Sequence, residues 1–391
     1  MTRLTRRQLN RTLLRRQLLA EPSRLPVVDA VRRVAGLQAQ VPKDPYVGLW
    51  SRLERFAHDD LGTPLTERRL VRVALMRSTI HLVTAEDVGA FRPAVQPALD
   101  RELRSTTWGP PIAGLDLPAV LDEARRVLRD QPMTATELGK RLQERWPDRD
   151  GRAMAYAARN LEPLVQVPPR GLWGVPGQPR LAAARDWLGW PPEPGSDDVA
   201  LAGSRATTAL VERYLAAFGP ASVRDAQAWA GVTRLAEVIE SLRPRLRSYV
   251  SEDGRELWDP ADAELADADG RVPVRFLPEY DNAILGYADR SRILLDGMTF
   301  SGYAARLRGG SVTRGGLLVD GFLAGTWSVA RDAGAVEGGA GERRHALRVD
   351  AFRRLDGDEH DAVEESGREL LAFVAGNGGE DGRVEIEVSR P

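Results

Sequence analysis

The sequence has no cysteine, which excludes disulfides and thiolate metal sites. Its only four histidines, His58, His81, His345 and His360, are too scattered for a His-based metal centre. No metal and no cofactor are therefore expected. No apolar run approaches the roughly 20 residues that crossing a bilayer takes. The opening stretch, MTRLTRRQLNRTLLRRQLLA, interrupts its leucines with arginine every few positions, unlike the unbroken apolar core of a secretory signal. A cytoplasmic protein with no membrane partner is the expectation. Lysine is nearly missing too: of 55 basic residues only Lys43 and Lys140 are not arginine. That bias, with abundant Ala, Gly and Pro, fits a GC-rich genome such as an actinobacterium's and says little about function. Among catalytic signatures, the Walker loop, His-Glu-x-x-His and Gly-x-Ser-x-Gly are all absent.

What is present is ordinary in amount and uneven in place. A chain of 391 residues, 42% hydrophobic and 28% charged, can build two to four domain-sized units with several cores. Its net charge of −1 hides an asymmetry. Residues 1–40 carry nine arginines against Glu21 and Asp29, whereas residues 351–391 carry eleven acids against five arginines. The N-terminal part thus offers a basic face on which a polyanion could dock.

The pattern along the chain reads as helices followed by short strand pairs, several times over. Leu9, Leu13, Leu14 and Leu18 recur at helical spacing, Pro26 opens a second helix, and STIHLV is a strand before a helix capped by Thr84. Three further helices end at VQVPPRGLWGV, two strands around a turn, with Thr134 and Glu137 spaced as a capping box. The order returns before SYVSEDGRELWD. Beyond Gly270 strands dominate, with Asp320-Gly321 as a type I′ hairpin signal, an acidic helix in DEHDAVEESGRELLAFVAG and a last strand in RVEIEVS. Residues 328–341, rich in Ala and Gly, read as a loop. The expected fold class is α+β. Tandem winged-helix units occupy 1–110, 111–200 and 201–270, and a β-rich, barrel-like region with the acidic helix occupies 271–391.

One short stretch, VAGLQAQVPKDPYVGLW, holds a pair of amides, Gln38 and Gln40, separated by Ala39. Pro42 biases Val41 toward extended backbone, and Gly36 weakens the preceding helix. If the stretch is extended, both glutamines face one side and can hold a single water. If it is helical, they diverge by about 200°. By residue type alone, Gln-x-Gln is usually a surface feature. Other candidates carry two readings as well. Arg306, Arg308 and Arg314 in RLRGGSVTRGGLL form either a basic DNA-contacting loop or a solvated turn. His81, inside an apolar stretch, reads as a satisfied core histidine. Tyr46 and Trp50, four residues apart, line a cleft or fill a core. Asp281 and Asn282 in PEYDN contribute to a site or bond to their own turn.

GLQAQVPKDPYVGLWSRL, LMRSTIHLVTAEDV, FLPEYDNAILGYADRSRI and LLVDGFLAGTW, in that order, resemble the winged-helix DNA glycosylases of the AlkZ/YcaQ-like, azinomycin-resistance type. The resemblance implies three winged helices and a β-barrel arranged as a C that embraces DNA. It also implies a catalytic Gln-hydrophobic-Gln motif, matched by Gln38 and Gln40. The YcaQ-like branch has Asp at the second polar place, so Gln40 aligns this chain with the branch that includes antibiotic self-resistance enzymes. Lys43-Asp44 departs from the smaller or less polar residues expected there. The implied activity is monofunctional excision of bulky N7-alkylguanine adducts or unhooking of interstrand crosslinks in base excision repair. Gln38 and Gln40 would position the attacking water, Lys43 and the three arginines would touch DNA, and Tyr46, Asp281 and Asn282 would line the cleft. The expected partner is double-stranded DNA carrying alkylated purines, and the expected state is a monomer. Two other readings stay open: a non-catalytic winged-helix regulator, and a scaffold that recruits partners through its acidic C-terminus.

Overall fold

Alternating helical and extended periodicities resolve into an α+β structure whose sheets join segments far apart in sequence. The computed structural model describes residues 2–189, 199–307, 313–331, 345–376 and 383–388. The chain opens with β1 (Thr2–Leu4) and α1 (Arg6–Arg16), the latter capped by the Thr5 hydroxyl on Gln8 N–H. Next come α2 (Val27–Arg33), β2 (Leu37–Gln38), α3 (Asp44–Trp50), α4 (His58–Thr66), β3 (Leu70–Ala74), β4 (Ile80–Thr84) and α5 (Ala85–Ser105). Thr84 caps α5 as its position predicts, through Asp87 N–H. A second helical group follows: α6 (Leu117–Asp130), β5 (Met133–Thr134), α7 (Ala135–Arg145), α8 (Gly151–Leu161), β6 (Leu164–Val167), β7 (Arg180–Ala183) and α9 (Ala184–Leu188). The capping box of Thr134 and Glu137 forms at the start of α7. A third group has α10 (Val199–Phe218), α11 (Val223–Ala230), α12 (Leu235–Leu242) and the hairpin β8 (Leu246–Ser251) and β9 (Glu256–Pro260).

The remainder contains β10 (Arg275–Pro278), α13 (Asn282–Leu285), α14 (Phe300–Arg306), β11 (Thr313–Val319), β12 (Phe322–Arg331), β13 (His345–Ala351), α15 (Gly357–Ala375) and β14 (Arg383–Val388). Asp320 and Gly321 close β11 onto β12 with positive φ at both, as a type I′ turn requires. The expected barrel is corrected here. Among the described residues β10 to β14 form an open five-stranded sheet in sequence order, with β10 and β14 at its edges. Residues 328–331, expected in a loop, continue β12.

Two pairings cross the expected unit boundaries. Strands β3 and β6 join the first and second groups in one six-stranded sheet, ordered β2-β4-β3-β6-β7-β5. At the N-terminus β1 lies parallel to β8 and so belongs to the sheet of the third group. One core, including Leu13, Val31, Leu82, Phe91, Tyr214, Phe218, Trp229 and Tyr287, runs through the first and third groups into the α13 region. Separate cores sit inside the second group and behind the five-stranded sheet.

Many arginines of the basic N-terminal part are paired, and Arg11 and Arg16 are buried. Arg16 pairs with buried Asp259 at 2.5 and 2.8 Å, Arg7 and Arg11 meet Asp320, and Arg24 meets Glu54. Arg6 donates to Ser291 O at 2.6 Å and pairs with Asp296. The contacts of the α1 arginines narrow the basic face expected at the N-terminus, because carbonyls and carboxylates are brought over α1.

A second buried pair ties the first group to the last. Arg52 spends Nε on Gln17 O, Nη1 on Gly48 O and Asp281 Oδ2, and Nη2 on Asp281 Oδ1, at 2.8–2.9 Å. Neither side chain reaches solvent. Removing one partner strands the other charge in a low-dielectric interior, so Asp281→Ala should cost roughly 3–5 kcal/mol of stability. Urea denaturation checks this, and the Arg52→Met/Asp281→Leu pair should lose less than either single substitution.

Candidate active site

The Gln-Ala-Gln stretch is extended, which puts both glutamines against the same hairpin. After α2 the chain turns through Ala35 and Gly36, both at positive φ. At position 36 a Cβ would lie 2.8 Å from Val83 Cγ1 and 3.1 Å from Leu82 O, so the approach of this turn to β4 requires glycine. Strand β2 then pairs antiparallel with β4, Leu37 opposite Leu82 and Gln38 opposite His81.

Four contacts from the β3–β4 hairpin grip three successive residues. Gln38 Oε1 accepts from Arg77 Nη2 at 2.8 Å. Ala39 donates its N–H to Ile80 O at 2.7 Å, and its carbonyl accepts from Arg72 Nη2 at 2.8 Å. Gln40 Oε1 accepts from Ile80 N–H at 3.2 Å. Here the chain leaves the sheet toward Pro42, and the Gln40 side chain supplies the carbonyl that backbone pairing no longer can. Gln38 is 7% exposed, Gln40 is on the surface, and Ala39 is fully buried, so the small middle residue faces the core.

Both amide oxygens are oriented by obligate donors, a guanidinium and a backbone N–H, so neither amide has an alternative flip with the same bond. Each oxygen keeps one lone pair that can accept from water. No acid or base shares these contacts. His81 lies on β4 beside Gln38, but its Nδ1 bonds Thr79 O at 3.0 Å and its Nε2 is buried without a partner. Burial, then the nearby Arg77, pushes its pKa down to about 3, so the ring is a neutral core group, as the apolar context of STIHLV predicts, but with only one of its nitrogens satisfied. Arg72 is also buried, and desolvation followed by Arg170 lowers its pKa to about 10, leaving it a cation.

Several candidates are elsewhere than expected. Tyr46 is 1% exposed and donates to Gly171 O at 2.9 Å, so it fills a core against Phe56 and Trp173 instead of lining a cleft. Asp281 and Asn282 are 2% and 0% exposed and line no cleft either. Asp281 takes both Arg52 bonds and caps α13 through Ala283 N–H, while Asn282 Nδ2 donates to Gly36 O at 2.9 Å. That last bond holds the residue immediately before β2, so PEYDN supports the glutamine strand from behind. Lys43 sits over the Trp173 ring, 5.0 Å from its centre. Its neighbour Asp44 is buried with Oδ2 unpartnered, and burial, then Glu279 and Asp281, hold its carboxyl well above the usual range. Arg306 meets Asp350 at 3.6 Å and stacks over Phe352, and Arg314 bonds Glu279 at 3.0 Å. Arg308 lies outside the described residues. Neither Arg72 nor Arg77 was singled out from the sequence, where two arginines among so many carry no local signal.

Comparison with known proteins places this geometry in context. The model of the AlkZ-like DNA glycosylases matches residues 31–373. A Streptomyces sahachiroi protein described as an interstrand DNA cross-link repair glycosylase is 22% identical over 302 residues, covering 72% of this chain and 77% of that one. The solved structure of the Streptomyces sahachiroi DNA glycosylase AlkZ aligns over 100% of both chains with a TM-score of 0.76 and 18% identity, a likeness of fold.

The neutral His81 next to the motif has a pH signature. Its folded pKa lies below the ordinary 6.5, so the unfolded chain binds a proton that the folded chain does not. Its contribution to stability is full above pH 6.5 and is lost at roughly 1.4 kcal/mol per pH unit as pH falls from there toward 3. Denaturation midpoints of wild type and His81→Leu should diverge with that slope below pH 6.5; parallel curves would show that the ring is not held neutral.

Proposed function

The chain belongs to the AlkZ-like DNA glycosylase family, and from that premise we propose that Gln38 and Gln40 hold the water that hydrolyses the N-glycosidic bond of bulky N7-alkylguanine adducts or interstrand crosslinks. The observation that carries this reading is the pair of amide oxygens, fixed by Arg77 and by Ile80 N–H with no acid or base in the same contacts.

Alkylation at N7 puts a positive charge on guanine, so the base leaves neutral and needs no proton. What remains for the protein is to place a nucleophile against the developing sugar cation. A water donating to both glutamine oxygens keeps a lone pair free for the anomeric carbon while the glycosidic electron pair leaves with the base and the water's spare proton passes to solvent, and such positioning is a proximity effect. Departure of an unmodified purine calls for protonation of the leaving base, which two amides cannot provide. The reaction is read as monofunctional. A Schiff-base step needs a free amine, and Lys43, the one lysine near the motif in sequence, has its ammonium over Trp173.

In this reading the three helix-and-hairpin groups are winged-helix units along a C-shaped, DNA-embracing molecule. Gln40 lies on the surface, which suits an adduct too bulky for extrusion into a tight pocket. The biological role is genotoxin self-resistance or alkylation repair, with the enzyme acting on duplex DNA as a monomer. Among the described residues no helix is long and apolar enough to cross a membrane. Lys43, Arg306 and Arg314 remain proposed phosphate contacts, each exchanging its present partner for DNA; truncating one should reduce the salt dependence of binding by about one counterion.

The test is incubation with duplex DNA carrying N7-alkylguanine, followed by heating in alkali to break the chain at abasic sites. Wild type should give breaks at the alkylated guanines. Gln38→Ala and Gln40→Ala should each slow their appearance on the order of 10²-fold, the scale of a misplaced reactant. Equal rates in all three proteins would remove both glutamines from the mechanism.

A further inference from the structure

The hairpin that grips the glutamines closes through a turn its residues do not favour. Arg77 and Ser78 lie at φ 55° and 58°, and Thr79 N–H bonds Met76 O at 3.1 Å. This is type I′ geometry, for which Asn-Gly is the favoured pair because left-handed backbone crowds the Cβ of other residues. Arginine and serine here are held from outside. Gly231, at the end of α11, packs so closely that a Cβ there would come within 2.9 Å of Arg77 N and Cα. The Arg77 guanidinium donates through Nη1 to Trp229 O at 2.6 Å and through Nη2 to Gln38 Oε1 at 2.8 Å. Among the described residues no carboxylate forms an ion pair with it. Burial, then Arg290, lowers its pKa to about 10, so it stays protonated at neutral pH and offers donors only.

We propose that Arg77 is a positioning residue for glycosidic-bond hydrolysis: anchored to the third helical group through Trp229 O, it fixes the orientation of the Gln38 carboxamide that meets the attacking water. The proposal rests on the assignment of Gln38 to that water. A primary amide has two orientations of nearly equal shape that exchange an acceptor for a donor. Only one lets Gln38 accept from a guanidinium, and in that orientation the second lone pair on Oε1 can accept a hydrogen bond from water. The flipped amide would donate to the water and occupy the lone pair that should attack. Gln40 needs no such help, because the fixed backbone N–H of Ile80 already orients it. The strained turn therefore delivers to Gln38 an orienting donor equivalent to the one that Gln40 receives from the strand.

A double-mutant cycle separates this role from phosphate binding and from folding. Arg77→Gly removes the side chain while suiting φ 55°, so it should fold as wild type by thermal melting. Single-turnover excision of N7-methylguanine at saturating enzyme should fall about 10-fold in Arg77→Gly, with Kd for an abasic-analogue duplex changed less than roughly threefold. Arg77→Lys, which keeps a donor, should recover part of the rate. In the Gln38→Ala background, adding Arg77→Gly should change the rate by less than about twofold, because the group it orients is gone. The proposal is overturned if Arg77→Gly excises at the wild-type rate, if its loss lies wholly in Kd, or if the two losses multiply. If Gln38→Ala alone excises as fast as wild type, the assignment of Gln38 fails and takes this proposal with it. A slow Gln38→Ala beside a fast Arg77→Gly sinks only the role of Arg77.

Discussion

A guanidinium and a carboxylate without access to water join the first and last parts of the chain, and the position of the glutamine strand depends on them. Arg52 and Asp281 satisfy one another bidentately, and the remaining Arg52 bonds go to the end of α1 and to α3. The desolvation cost of such a pair is offset only when nearly every donor and acceptor is used. Here Asp281 also caps α13, whose first residue, Asn282, holds Gly36 O one residue before β2. The backbone carrying Gln38 and Gln40 is thus located by residues some 240 positions away, with the β3–β4 hairpin gripping it from the other side.

That arrangement produces a site notable for what it does not titrate. The ionisable groups bonded to or paired with the motif are two arginines, which stay cations although burial lowers their pKa to about 10, and a histidine held neutral by burial. Neither kind exchanges protons readily near neutral pH. In the AlkZ-like glycosylase family to which the chain belongs, a pair of amides makes chemical sense when the leaving base brings its own positive charge. On the proposed assignment the site supplies orientation, and the substrate supplies activation.

Much of this was legible where the physics is local. The Thr84 and Thr134 caps and the Asp320-Gly321 turn follow from neighbours within a few residues, and all are present, whereas the sequence left the Gln-Ala-Gln stretch open between extended and helical and the structure has it extended. What was not legible depends on long-range pairing. The basic N-terminal run suggests a face open to a polyanion, yet carbonyls and acids from residues 259–321 take up several guanidiniums of α1. No periodicity marks β1 as a partner of β8, or leaves β10 and β14 as edges in place of a barrel seam. At the site, polar residues in PEYDN and Tyr46 suggested a cleft because residue type alone cannot distinguish a buried, satisfied group from an exposed one. Arg72 and Arg77 were hidden for the same reason: their roles come from where the hairpin carries them.

The most direct measurement is the pH dependence of single-turnover excision of N7-methylguanine from duplex DNA at saturating enzyme. Water positioned by amides, and a base that is cationic before cleavage and departs neutral, require no proton transfer to the leaving group. The rate should therefore be flat from about pH 6 to about pH 8.5. A limb or bell that tracks a titrating group, such as the buried Asp44 carboxyl whose pKa is raised, would show that an acid or base does the work and would contradict the account.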